Sequence, residues 1–296
     1  MKKIALILLI LVVAGLSWYL FIKPYDYSVS FRTKYGPSAV YYDFLDARDI
    51  NTDSLLSTKK YSEIQQVKTL GDTIFNLRWH FAKASDSTTK VTVDVRDETH
   101  TVAARVNVLN PFNSRYTDQL KSYFNEYNWL MDEKQREYTI GQTIKDTVFA
   151  ARECICTSSS SKIRLKAHHM VEQLADLDDF FFENQVKPTG DPLLLLEKWN
   201  EPNDYITFDF CFPILKNDSL RLTPKTHFIS LPSLPSYSAA YKGNYKYSHR
   251  QWAEMGSKLA EEGAAHQDTI IEVYHNSPLV DTNPKSWKAT IYIPKK

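Results

Sequence analysis

From Ile4 to Ile22 the chain reads IALILLILVVAGLSWYLFI without a charge, between Lys2 and Lys3 on one side and Lys23 and Pro24 on the other. At a rise of about 1.5 Å per residue, such a helix matches the roughly 30 Å hydrocarbon core of a bilayer. This constrains the chain to a membrane-associated segment, residues 1–24, followed by one exported or tethered body. A cleaved signal peptide has a shorter apolar core of about 7–15 residues and a small-residue cleavage site. Here the core runs on into Trp18, Tyr19, Leu20 and Phe21, and no A-x-A pattern follows. Trp and Tyr favour the headgroup region at the end of a span, so length and flanks favour an uncleaved anchor. The Lys2–Lys3 pair puts the amino terminus in the cytoplasm and the body on the outer, periplasmic or extracellular, side, although Lys23 reduces the asymmetry.

About 270 residues remain after the anchor, enough for two domains of ordinary size. With 18 Tyr, 15 Phe and 6 Trp, packed cores have ample material. The 36 basic and 35 acidic residues leave a net charge of +1, so no global field draws the body to nucleic acid. No zinc-finger or helix-turn-helix spacing is present, and no metal or cofactor is expected. The three cysteines, Cys154, Cys156 and Cys211, cannot all pair within one chain. Cys154 and Cys156 alternate with Ile155, share a strand face, and read as small apolar strand residues.

The body divides near residue 141. Residues 27–141 run as a strand (SVSFR), a short helix near Ser38–Leu45, several strands, and a long helix from about Tyr116 to Arg136. The strands include TIFNLRWHFA, KVTVDVRD and HTVAARVNVL, which alternate polar and apolar residues. On the closing helix Leu120, Phe124, Tyr127 and Met131 step along one face. This predicts a curved antiparallel sheet on one amphipathic helix.

Residues 142–296 read as two β-α-β-β copies. The first holds TVFAARECIC, the serines 158–161, a helix over about Leu165–Glu183 with an apolar stripe of Met170, Val171, Leu174, Leu177 and Phe181, then PLLLLEKW and DYITFDFCFP. The second holds THFISLPSLPSYSAAY, a helix over about Ser248–Glu262, then TIIEVYH and KATIYIP. In the second helix, Ser248 and Gln251 suit a capping box, Trp252, Met255 and Leu259 form the apolar face, and Gly263 suits the stop. His168 and His169 are adjacent and lack the spacing of a metal motif.

Glu272 is the most informative polar position. Alternation in TIIEVYH puts Ile270, Glu272 and Tyr274 on one face and Ile271 and Val273 on the other. A lone carboxylate there is either a solvated charge on an open sheet, the commoner case, or a negative anchor in an apolar pocket. A buried carboxylate must be satisfied, because isolated burial costs several kcal/mol or shifts its pKa upward.

The segment YKGNYKYSHRQWAEMGSKLAEEG, followed by TIIEVYHNSP and KATIYIP, resembles the GyrI-like small-molecule-binding domain, also seen as the effector-binding domain of bacterial multidrug-responsive and AraC-type activators. Tyr241, Gly243 and Tyr245 before a tryptophan-bearing helix, Glu272 and Tyr274 on a strand, and a last strand ending Ile293 and Pro294 carry the resemblance, over about residues 142–296. It implies an aromatic-walled pocket with Glu272 at its base and Tyr274, Tyr292 and Trp199 as walls, suited to flat or cationic guests. Residues 27–141 resemble, by element order alone, the START-like (SRPBCC, polyketide cyclase) helix-grip fold. That implies a cavity which Tyr35, Trp79, Phe81, Tyr127 and Trp129 could line, although core packing accounts for each equally.

The expected architecture is therefore α+β: a transmembrane helix, a START-like domain, and a GyrI-like domain of two repeats. The expected function is a membrane-tethered binding protein for an apolar, aromatic or cationic compound, held to the membrane through residues 4–22, without DNA-binding output. The alternative is a hydrolase of reactive small molecules with Glu272 as general base beside Tyr274. A third class is an interaction module whose cavities are filled by side chains, with Glu272 facing water.

Overall fold

The computed structural model describes residues 2–47, 53–99, 102–103, 105–106, 115–215 and 219–296. It divides into two compact units, Met1–Lys134 and Gln135–Lys296.

In the first unit, helix α1 (Lys2–Ser17) continues through Trp18–Ile22, where the turns widen and Lys23 N donates to Trp18 O at 2.9 Å. Lys3–Ile22 is long and apolar enough to cross a membrane, with a mean hydropathy of 2.6 and none of that window buried against the body. Then follow β1 (Tyr27–Lys34), α2 (Pro37–Ala47), β2 (Asp53–Lys59), β3 (Glu63–Leu70), β4 (Thr73–Ser85), β5 (Thr88–Asp97) and α3 (Arg115–Gln135). The sheet is antiparallel in the order β1-β5-β4-β3-β2, so the first strand lies beside the last. Burial alternates along β3 and through most of β4 and β5, which gives the sheet one core face. Leu120, Phe124, Tyr127 and Met131 are all buried on α3, as their spacing predicts. Trp79 packs against Phe44 and Tyr127 with ring centroids 4.8 and 4.9 Å apart, and the Tyr127 hydroxyl donates to Phe44 O at 2.7 Å. Trp79, Phe81 and Tyr127 are thus core packing, whereas Trp129 is exposed. HTVAARVNVL does not bear out its strand expectation where it is described: residues 102–103 and 105–106 are helical, and the rest lies outside the described residues.

The second unit begins with β6 (Tyr138–Ile140), β7 (Lys145–Phe149), β8 (Arg152–Lys162), α4 (Lys166–Asn184), β9 (Leu193–Asn200), β10 (Tyr205–Pro213) and β11 (His227–Leu231). It closes with β12 (Leu234–Gly243), α5 (His249–Glu261), β13 (Ile270–Tyr274) and β14 (Lys288–Pro294). One antiparallel sheet runs β11-β8-β10-β9-β13-β14-β12-β6, with β7 also pairing β12. The duplication is visible in that order. Each copy (β8-α4-β9-β10 and β12-α5-β13-β14) lays its strands first-third-second, and the copies meet through their second strands, β9 and β13, with Ile270 opposite Leu196.

Two long strands expected from sequence are each broken. TVFAARECIC divides into β7 and β8, the serines continuing β8, and THFISLPSLPSYSAAY divides into β11 and β12. The serines pair with β10, Ser158 opposite Asp209 and Ser160 opposite Thr207, and their hydroxyls bond those partners. The β8–β10 register also sets Cys211 opposite Cys156, and these two form a buried disulfide. That corrects the reading of Cys156 as a plain apolar strand residue. Cys154 stays free and buried, and burial pushes its thiol up to about 11.

Candidate functional site

All five residues of β13 are buried, so both faces of the sheet are covered there. Ile271 and Val273 join a cluster with Phe149, Leu193 and Cys211. Ile270, Glu272 and Tyr274 lie on the other face, where both helices begin. Lys166 is the first residue of α4, and Ser248 immediately precedes α5.

Glu272 is wholly buried, and so is Lys166. Lys166 Nζ donates to Glu272 Oε2 at 3.0 Å, to Ser248 Oγ at 2.7 Å and to the Tyr274 hydroxyl at 3.3 Å. The ammonium also sits 4.8 Å from the Trp252 ring centroid and 5.6 Å from that of Tyr274. Aromatic faces attract cations, and more so when water is excluded. Tyr245 closes the next side, its ring 4.6 Å from Tyr274 and its hydroxyl donating to Lys288 O at 2.8 Å. The Tyr274 hydroxyl lies 3.5 Å from Met170 Sδ on α4. The result is a closed aromatic cage around an ion pair.

Charge in this cage is shaped by burial. Burial lowers the Lys166 ammonium's pKa, and Glu272 opposes the shift. Burial also holds the Tyr274 phenol well above its ordinary value, and the neighbouring carboxylate adds to this. At the start of α5, burial presses His249 well below the usual imidazole range, helped by Arg250 and Lys166. Positive ends of two helix dipoles converge here, which favours a carboxylate and disfavours a cation. The ammonium is therefore held by Glu272 and the rings against both burial and the helix field. One atom stands apart: Glu272 Oε1 is buried and makes no hydrogen bond of normal geometry among the described residues, although the Tyr274 hydroxyl lies near enough to interact with the carboxylate.

Of the residues expected from sequence, Glu272 and Tyr274 come together as alternation requires. Trp199 stands one ring further out, 6.3 Å from Trp252. Tyr292 does not join them. It is paired with Ile271 across β13–β14 and so takes the opposite face, against Phe149 at 5.4 Å. The capping box also fails to form. Ser248 Oγ donates to Tyr245 O while receiving Lys166, and the Gln251 side chain bonds both backbone groups of Gly141.

Lys166 and Trp252 complete the cage, and sequence alone does not show Lys166 there. The buried face of α4 is Lys166, Met170, Gln173, Leu177 and Phe180, whereas Val171 is exposed. Two polar members hide that helical period, and the apolar residues alone suggest a stripe rotated by one position. Extending 170-177 one turn toward the amino terminus is the signal that reaches Lys166.

Surface clefts are also present. One of about 730 Å³ is lined by Arg152, Asp191 and Pro213, and one of about 350 Å³ by Ala240, His275 and Thr290; neither reaches Glu272. Among the described residues no cluster of His, Cys, Asp and Glu suits a metal ion.

Residues 162–296 match the family model described as the GyrI-like small molecule binding domain. These residues form a GyrI-like domain. The EcmrR C-terminal domain is 14% identical, over 52% of this chain and 97% of that one, with a TM-score of 0.42. SAV2435, solved bound to tetraphenylphosphonium, is 15% identical over 52% of this chain and 94% of its own, with a TM-score of 0.39. A hydrolase from Listeria innocua is 12% identical over 56% and 98%, with a TM-score of 0.34. No curated protein matches the chain.

Proposed function

We propose that this chain is a membrane-tethered binding protein for a small apolar, aromatic or cationic compound, with the cage around Glu272 as its seat. The observation that carries the reading is the wholly buried Glu272 carboxylate inside an aromatic shell, whose Oε1 makes no hydrogen bond of normal geometry among the described residues. A buried unsatisfied acceptor costs about 1–3 kcal/mol, and more when charged, so a guest bringing a donor gains that much by supplying it. The GyrI-like domain's own description, small molecule binding, points the same way. A net charge of +1 supplies no field for nucleic acid. The hydrolase alternative rests on the same carboxylate, whose Oε2 is held by Lys166 Nζ at 3.0 Å.

The tether is the apolar helix over Lys3–Ile22, joined to the first unit by Arg105, which donates to Leu20 O at 2.8 Å and to Asp26 Oδ1 at 2.7 Å. The Cys156–Cys211 disulfide supports placing the body on the outer side, because disulfides persist in oxidising compartments. For the first unit we retain the START-like helix-grip reading, over residues 27–141. Its support is the β1-β5 adjacency, the helix between β1 and β2, and α3 closing on Trp79.

The test is a panel of neutral and cationic aromatic compounds against the full chain in lipid nanodiscs, read by thermal unfolding. Compounds that bind the native cage raise Tm in proportion to ln(1 + [L]/Kd), and Glu272→Gln is expected to weaken them at least about ten-fold. A panel that leaves Tm unchanged, or hits indifferent to Glu272→Gln, rejects the seat.

A further inference from the structure

We propose that Lys166 is the cage's own occupant: a tethered alkylammonium filling the cation seat opposite Glu272, so that a cationic guest enters only by displacing it. This rests on the reading of the cage as the ligand seat and adds what controls entry. Each contact of the ammonium is one that a cationic guest would need. Its charge faces Glu272 Oε2 at 3.0 Å, its protons meet Ser248 Oγ at 2.7 Å and the Tyr274 hydroxyl at 3.3 Å, and its positive field meets the Trp252 face at 4.8 Å. Lys166 and Glu272 are both wholly buried, so neither can be lost alone without leaving a bare charge in the core.

Nothing local to α4 calls for a lysine at this place. A cation at a helix amino terminus opposes the helix dipole. The same turn exposes Leu165, so the apolar and charged side chains are exchanged relative to simple amphipathic order. What the lysine gains is only the cage. Because it is attached to the chain, it competes at the millimolar or higher effective concentration typical of short flexible tethers. Weak free cations are thereby refused, while a guest with enough aromatic area to occupy the whole shell can expel the side chain. Selectivity for large over small cations follows.

The experiment deletes the arm and returns it as a free molecule. In the full chain in nanodiscs, Lys166→Ala lowers Tm, and n-propylammonium chloride, the portion that alanine lacks, restores part of the loss. The isosteric 1-propanol does not, the wild type responds to neither, and Lys166→Ala/Glu272→Gln loses the ammonium response. Benzyltrimethylammonium binds Lys166→Ala at least about ten-fold more tightly than it binds the wild type. If Lys166→Ala does not fold alone, refolding yield with n-propylammonium against 1-propanol gives the same reading. Equal effects of the two additives, an ammonium response that survives Glu272→Gln, or no recovery by either overturns the proposal. A panel compound that binds the wild type through Glu272 while Lys166→Ala ignores ammonium would remove only the role of Lys166. An ammonium response with no panel hit would remove only the ligand reading.

Discussion

At the scale of single residues, the cage makes stability depend on pH through His249. This imidazole is wholly buried at the start of α5, with Arg250, Lys166 and Arg164 as the positive groups acting on it. Its folded pKa is depressed, so below the ordinary imidazole value of 6.5 the unfolded chain takes up a proton that the native state refuses. The stability it contributes is full above that value and is lost as pH falls, with a slope approaching about 1.4 kcal/mol per pH unit for one proton. Urea unfolding between pH 7.5 and 5 should show this slope, and His249→Gln should flatten it; a wild type equally stable across the range would contradict the assignment. That Glu272 and Tyr274 share one face was legible because strand alternation is a two-residue rule needing no partner, whereas the residues of the strand left open whether that face turns inward. Tyr292 was not, because its face depends on the β13–β14 register, which sets it opposite Ile271 and not Glu272. Lys166 was hidden for a different reason: a charge starting a helix reads as solvated until the facing carboxylate is known.

Among the elements, the helices were legible where their buried face is apolar, as on α3, and shifted where polar residues interrupt it, as on α4. The repeat was legible in element order, since each copy supplies three strands of the one sheet and one helix. Strand breaks were harder to see, because β7 and β8, or β11 and β12, are separated by only two residues. Gly243 shows a local demand that sequence merely hints at. Its φ is +134°, and a Cβ there would stand 2.5 Å from Tyr138 Cα, where β6 meets β12. The cysteine pair is likewise a product of register. It spans 55 residues and ties β8 to β10 in the core. In the chain-entropy model a closure of that length is worth about 4 kcal/mol. Reducing the native protein, or replacing both cysteines by alanine, should therefore lower the unfolding free energy by that order. Denaturant titration with and without reductant checks it, and superimposable curves from a confirmed disulfide-bonded sample would contradict it.

For the whole molecule, what matters is how an apolar helix is joined to a folded body. A removable leader is expected to end in exposed, extended chain, but here the exit of the helix is built into the first unit. Arg105 Nη1 donates to Tyr19 O at 3.2 Å and Leu20 O at 2.8 Å, and Nη2 donates to Lys23 O at 2.5 Å. Its Nε bonds Asp26 Oδ1 at 2.7 Å, and Asp26 Oδ2 receives the amide of Asp97 at the end of β5. The side chains are 3% and 0% exposed, so the pair is a buried one. One guanidinium thus satisfies carbonyls at the end of the helix, which have no partner within it, and fixes them to the sheet. Removing one partner of a buried pair typically costs about 3–5 kcal/mol, because the other charge is left unpaired. Arg105→Met should cost that much in the first unit and raise amide exchange over residues 19–26, while Arg32→Met, on an outer strand position, should do neither. On the proposed tether reading, the same joint predicts that the apolar helix is retained. Intact-mass measurement of the mature membrane-bound protein should include the apolar helix. A mature form starting near Lys23, still folded and released from the membrane, would show that the joint is dispensable and that the helix serves only as a leader.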